Sequence, residues 1–197
     1  MIALWDLGNV LVQWEPELIY PAFNVSAAHT QYLRSELLEH SDWLRLDQGL
    51  ITEQEVAARI SSETELSHDD AKRCFDVIRN SLVNIDASVA MLSQMKAAGV
   101  PMYVLSNMSN ENAAYLRTRE YFSLFDDVVI SAEEKLIKPD PALFELVLKR
   151  YRLNAEEVYF IDDSMPNIVA SRELGMQALH FKRSDDCYRQ IREAFKL

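Results

Sequence analysis

Five side chains of this 197-residue sequence stand at or just after the ends of short apolar runs: Asp6, Ser106, Lys138 and the adjacent Asp162 and Asp163. Three carboxylates drawn to one place repel and raise each other's pKa unless positive charge sits among them. A hard divalent cation supplies that charge, and all-oxygen ligation with few protein ligands suits Mg²⁺. Lys138 adds a second positive charge. A serine hydroxyl at the start of a helix adds a donor where free N–H groups already favour anions. The set fits a phosphate bridging the metal and Lys138. An Asp beside that phosphate can attack phosphorus and form an aspartyl-phosphate, which water then hydrolyses. Metal and lysine offset charge on the equatorial oxygens and hold an in-line geometry.

Whether these residues meet depends on the elements that carry them. Ile2–Trp5 precedes Asp6, Met102–Leu105 precedes Ser106, and Val158–Ile161 precedes Asp162. Val128–Ile130 precedes Ser131 and the loop holding Lys138, and Ala178–Phe181 is a fifth run of the same kind. Short continuous apolar runs are what strands buried on both faces of a parallel sheet require. Helix-period segments lie between them: Ser88–Ala98 closed by Gly99, Pro141–Arg150, Asn167–Leu174 closed by Gly175, and Ser184–Leu197. Strands alternating with helices predict crossover units, a parallel sheet and a ligand site outside the carboxyl ends of its strands. Residues 16–84 break the alternation. They hold no strand-like run, only amphipathic segments such as Tyr32–Leu38 and a helix start signed by Thr52 and Glu55, the spacing of a capping box. The reading is an α/β protein: a Rossmann-like parallel-sheet core from residues 1–15 and 85–197, with an all-helical cap from residues 16–84.

Four motifs in order, LWDLGNV, LSN (Leu105–Asn107), KPDP (Lys138–Pro141) and FIDDSMPN (Phe160–Asn167), resemble those of the haloacid dehalogenase-like superfamily across essentially the whole chain. The chain is most similar to the small sugar-phosphate phosphatases of that family whose first motif reads DLGNV or DLGGV, a type that includes phosphatases of alpha-D-glucose 1-phosphate. The resemblance implies a helical cap inserted after the first motif and Mg²⁺-dependent hydrolysis of a small phosphorylated metabolite. It implies Asp6 as nucleophile and metal ligand, Gly8 as a backbone-carbonyl ligand and Asp163 as a direct ligand, with Asp162 bound through water or behind it. Ser106 would bind the phosphate and Lys138 would balance nucleophile and phosphate. Asn107 would help bind substrate, and Asn167 would orient its neighbours.

Two positions depart from the family pattern. Most of its phosphatases carry a second Asp two residues after the nucleophile as general acid–base, and here that residue is Gly8. General acid–base catalysis is worth roughly 10²–10⁴-fold, so the loss predicts either substrates whose leaving group departs unaided or a substitute acid, with Glu15 and Glu17 near enough in sequence to serve. Lys135 stands where relatives often carry glycine and is expected to alter only a turn. The same departure at Gly8 opens two other readings, a dehalogenase and a fold kept as a silent binding module. Dehalogenases of the family use no metal and lack a paired acid in the fourth motif, and an idle site has no physical need for these charges.

Composition bounds the rest. The chain is 49% hydrophobic and 26% charged, with a formal net charge of -11 and no Lys/Arg cluster, which speaks against a nucleic-acid partner. No apolar run reaches the length of a membrane span. Two cysteines, Cys74 and Cys187, form no disulfide framework, and the first residues carry neither a basic leader nor a cleavage site, so a cytoplasmic location is expected. The four histidines lack metal-ligand spacing. His40 and Trp43 lie in the cap, where they are candidates to face the substrate, although helix packing is the expected role, and Ser106 is also a candidate helix N-cap.

Overall fold

The computed structural model describes all 197 residues. Five strands form one parallel sheet: β1 (Ile2–Trp5), β2 (Met102–Ser106), β3 (Asp127–Ile130), β4 (Val158–Asp162) and β5 (Gln177–His180), in the order β3-β2-β1-β4-β5. Each of the five apolar runs forms a strand at its expected place. β1 is central, with Trp5 in register with Val104 on one side and Ile161 on the other. The connections run one way from β1 to β2 and β3 and the other way to β4 and β5, so the sheet switches direction beside β1. Ligands of open parallel sheets collect at such a switch.

Alternation along the strands feeds two apolar layers. Ala3, Trp5, Val104 and Ile161 belong to one buried cluster. It includes Met91, Leu92 and Met95 of α6 (Asp86–Ala97) and Tyr188 and Ile191 of α11 (Asp185–Phe195). Leu4, Leu105, Val129 and Phe160 belong to another. It includes Leu143, Phe144 and Val147 of α9 (Pro141–Tyr151) and Ile168 of α10 (Met165–Glu173). Side chains of one strand point alternately to the two faces, which is why an unbroken apolar run satisfies both layers.

Between β1 and α6 the chain is helical: α1 (Pro16–Ile19), α2 (Ala27–Leu33), α3 (Ser41–Asp47), α4 (Glu53–Glu63) and α5 (His68–Ser81). These helices share their own buried cluster, including Leu33, Leu37, Val56, Ile60, Phe75 and Ile78. The capping box at the start of α4 is formed in both directions: Glu55 N–H donates to Thr52 Oγ1 at 3.2 Å, and Thr52 N–H to Glu55 Oε2 at 2.7 Å. The chain leaves and returns through two hydrogen-bonded crossings, Gln13 N–H to Val83 O at 2.8 Å and Ile85 N–H to Leu11 O at 2.8 Å.

One local expectation is corrected. Ser106 does not cap a helix. β2 runs on through Ser106, which is in register with Ile130, and the cap of the next helix, α7 (Asn110–Leu116), is Ser109, whose Oγ accepts from Asn112 N–H at 3.2 Å. No helix is long and apolar enough to cross a membrane.

Candidate functional site

β1, β2 and β4 are neighbours, so Asp6, Ser106 and Asp162 emerge side by side at their carboxyl ends. Lys138 comes from the loop between α8 (Ser131–Glu134) and α9, and its ammonium is enclosed. Nζ donates to Asp6 Oδ1 at 2.8 Å, Asp162 Oδ2 at 2.7 Å and Leu105 O at 2.8 Å. A lysine has three N–H donors, and all three are used. Asn107 clamps the lysine's backbone: its Nδ2 donates to Lys138 O and its Oδ1 accepts from Lys138 N–H, both at 2.9 Å. Asn107 therefore acts on the site through Lys138.

Asp162 is fully buried and its carboxylate is saturated. Besides Lys138 it accepts from Asn167 Nδ2 at 3.1 and 3.0 Å and from Ser164 N–H at 2.7 Å. Asp163 is less enclosed; its Oδ2 accepts from Asn9 Nδ2 at 3.0 Å. Asn9 was not singled out in the sequence, although it lies in the first motif. It turns the loop after β1 with φ 53°, a left-handed conformation Asn tolerates, and so brings its amide to Asp163. Ser106 Oγ is buried and has no hydrogen-bond partner.

Carboxylate oxygens of Asp6, Asp162 and Asp163 all lie within 4.8 Å of one another. Burial pushes the Asp6 carboxyl up from the ordinary range against the pull of Lys138, and Asp162 and Asp163 push it further. Burial likewise raises Asp163, opposed by the Asn9 hydrogen bond. Burial opposes the Lys138 charge, but Asp162 and Asp6 outweigh it and hold its pKa above the usual lysine value. One cation thus faces three carboxylates, and the donor set is all oxygen, the chemistry a hard divalent cation fits.

A cavity of about 340 Å³ opens over this cluster, lined by Asp6, Gly8, Lys138 and Asp163 and by residues of the helical segment. Three wall residues had no sequence signal or a misleading one. Trp43 of α3, expected to pack between helices, lines the cavity and stacks on Trp14, with ring centroids 5.2 Å apart. Asp47, the last residue of α3, also lines it. Asn112 of α7 does so with its Oδ1 unpartnered. His40 is elsewhere, its Nδ1 accepting from Asp42 N–H at 3.1 Å. Glu15 and Glu17 do not line the cavity; they pair with Arg183, at 3.0 Å, and with Arg34. Lys135 adopts a left-handed turn at φ 59°, and it does more than turn: its ammonium donates to Gly49 O of the helical segment.

Residues 2–175 match the family described as haloacid dehalogenase-like hydrolase. The chain is 28% identical over 194 residues to the drimenol cyclase drtB of Aspergillus calidoustus, covering 96% of this chain but only 35% of that protein. It is 27% identical over 186 residues to the sesquiterpene phosphatase astK of Aspergillus oryzae, covering 92% of this chain and 90% of the relative. Its fold matches the crystal structure of a HAD family enzyme from Bacteroides thetaiotaomicron in complex with magnesium and inorganic phosphate, with a TM-score of 0.81, 24% identity and coverage of 96% and 98% of the two chains.

Proposed function

The chain belongs to the haloacid dehalogenase-like hydrolases, and from that premise we propose that it is a Mg²⁺-dependent phosphatase of a small phosphorylated metabolite, working through an aspartyl-phosphate on Asp6. The observation that carries this reading is the charge imbalance: three carboxylates within 4.8 Å of one another around one lysine whose donors are all used. A self-contained structural cluster would be closer to neutral.

Mg²⁺ held by Asp6, Asp163 and the Gly8 carbonyl would supply Lewis-acid charge for the phosphoryl oxygens and hold them in line. The remaining work falls to the protein. Lys138 favours the ionised form of Asp6 and holds its Oδ1 from one side, leaving Oδ2 for attack. The free Ser106 hydroxyl donates to a phosphoryl oxygen. Asp162, already bound by Lys138, Asn167 and Ser164, holds Lys138 in place and would meet Mg²⁺ only indirectly. Asn9 fixes Asp163, and Asn107 fixes Lys138.

The substrate reading is a sugar phosphate. Of 16 residues lining the cavity only four are hydrophobic, and the buried Asn112 acceptor has no partner until a hydroxyl arrives. A helical cap over about 340 Å³ suits a metabolite rather than a polymer. The Trp14–Trp43 stack supports a second reading, an isoprenoid phosphate of the kind implied by the sesquiterpene phosphatase. The test is phosphate release from a panel of sugar, acyl and isoprenyl phosphates, with Mg²⁺ or EDTA, by the wild type and Asp6→Asn. Metal-dependent release lost in the variant is expected. Release that persists in EDTA or in Asp6→Asn would overturn the mechanism, and the panel ranks the two substrate classes.

A further inference from the structure

Gly8 leaves this site without an acid beside Asp6, and the cavity wall holds one further carboxyl. The ionisable residues lining the cavity are Asp6, Asp47, Lys138 and Asp163. Asp6 and Asp163 are engaged as nucleophile and metal ligand in the proposed function, on which this inference rests, and Lys138 has no donor to spare. Asp47 remains. It is carried by α3 of the helical segment, so it reaches the cavity from a different element than the strand ends that hold Asp6 and Asp163.

The backbone around Asp47 is fastened to the core. Ser131 Oγ donates to Asp47 O, Gln48 Nε2 donates to Lys135 O at 3.3 Å, and Lys135 Nζ donates to Gly49 O. Gly49 has φ 65°, and a Cβ there would stand 2.2 Å from Ala132 O, so the helical segment meets the core as closely as backbones allow. This clasp fixes the end of α3 over the nucleophile, as general acid–base chemistry demands of its donor. Burial also pushes the Asp47 carboxyl up to about 7, against a hydrogen bond from the Ser109 backbone and with help from the Asp6 charge, so it carries a proton near neutrality.

We propose that Asp47, carried by the helical segment, is the general acid–base of this enzyme. As Asp6 attacks phosphorus and the bond to the leaving oxygen breaks, the Asp47 proton passes to that oxygen and the alcohol departs. Water then attacks the phosphorus of the aspartyl-phosphate and gives its proton to the Asp47 carboxylate. The bond between phosphorus and Asp6 breaks, releasing phosphate and regenerating both side chains.

The test uses phenyl phosphate and 4-nitrophenyl phosphate with Mg²⁺, two substrates of similar shape whose leaving groups differ in their need for a proton. Asp47→Asn should lower kcat/KM for phenyl phosphate by roughly 10²–10⁴-fold and for 4-nitrophenyl phosphate by much less. The double variant Gly8→Asp, Asp47→Asn should recover phenyl phosphate turnover, because a Cβ at Gly8 meets only Asp6 Oδ2, at an ordinary 3.9 Å. Equal losses on both substrates, or no loss, would overturn the assignment while leaving the phosphatase standing. If the wild type turns over neither aryl phosphate, the same comparison is made on the panel compound it hydrolyses, where an unchanged kcat/KM in Asp47→Asn would overturn the assignment; no release from any panel compound would remove the proposed function and this inference with it. If Asp47→Asn does not fold, Asp47→Ser takes its place, since its hydroxyl can still accept from the Ser109 backbone.

Discussion

Two buried carboxylates in this protein sit in opposite electrostatic company. Asp42, in the helical segment, faces two guanidiniums: Arg59 Nε donates to it at 2.8 Å and Arg45 Nη1 at 3.1 Å, while Glu36 and Glu63 take up the outer side of Arg59. Asp6, in the core, shares one ammonium with Asp162 and has Asp163 alongside. The residue types are the same, but the first cluster sets two guanidiniums against three carboxylates, only one of them buried, and the second sets a single ammonium against three. Burying unbalanced charge costs stability, so the core cluster is the one a bound cation would relieve. The better-compensated cluster joins α3 to α4 through Arg59.

The contrast is broken hardest at its centre. Lys138→Met should leave Asp6 and Asp162 buried without a counter-charge, abolish phosphate release and cost about 3–5 kcal/mol, the range for removing one partner of a buried pair. Arg59→Met, at a partly exposed position, should cost less and leave phosphate release measurable. Urea unfolding of both variants, with parallel assays, checks the ranking. A milder loss in Lys138→Met than in Arg59→Met would mean that the core cluster is not short of positive charge.

Magnesium should separate the clusters next. At a hundred times its dissociation constant, a ligand specific for the folded state adds about 2.7 kcal/mol. The unfolding midpoint of the wild type should therefore rise with Mg²⁺ and fall with EDTA. Asp163→Asn should lose most of that response, and Asp42→Asn should keep it. Differential scanning calorimetry across a Mg²⁺ titration measures this directly.

The two carboxylates should also answer neutralisation with opposite signs. Asp42→Asn removes the partner of two guanidiniums and should cost about 1–3 kcal/mol. Asp6→Asn removes one of three crowded carboxylates, so the metal-free protein should be as stable as the wild type or more so, although phosphate release is gone. A destabilised Asp6→Asn would show that Lys138 needs Asp6 as much as Arg59 needs Asp42.

The same division sets what the sequence could disclose. Asp6, Ser106, Lys138, Asp162 and Asp163 are legible because each ends a strand or follows one closely, and a parallel sheet aligns its carboxyl ends whatever the loops do. The strands were legible for a related reason: β1 and β4 are buried on both faces, so their apolar runs are unbroken. Asp47 gave no such sign, and Trp43 only its place in the cap. They lie on a helix whose own pattern is that of any amphipathic segment, and what makes them wall residues is the docking of α3 on the core through Ser131, Lys135 and Gly49. Lys135 was read as a turn for the same reason: its left-handed backbone is local, but its partner lies 86 residues away. Glu15 and Glu17 misled because closeness in sequence to Asp6 is not closeness to the cavity.

The smallest effect is a pH dependence at the place where the helical segment meets the core. The Asp47 carboxyl rises from 3.8 to about 7 on folding. Between those values the folded chain binds a proton that the unfolded chain has lost. The contribution is therefore present below about pH 4 and disappears as pH rises through about 7. In EDTA, the wild type should lose stability relative to Asp47→Asn between about pH 5 and pH 8. Because Asp47 is only partly buried, water screens part of its field, and the difference should come to about 1–2 kcal/mol, below what the full shift would give. Urea unfolding at the two pH values, subtracting variant from wild type, isolates Asp47 together with its coupling to Asp6. A flat difference would mean that water reaches Asp47 freely; a falling one would show that Asp47 carries a proton near neutrality in the cavity it shares with Asp6.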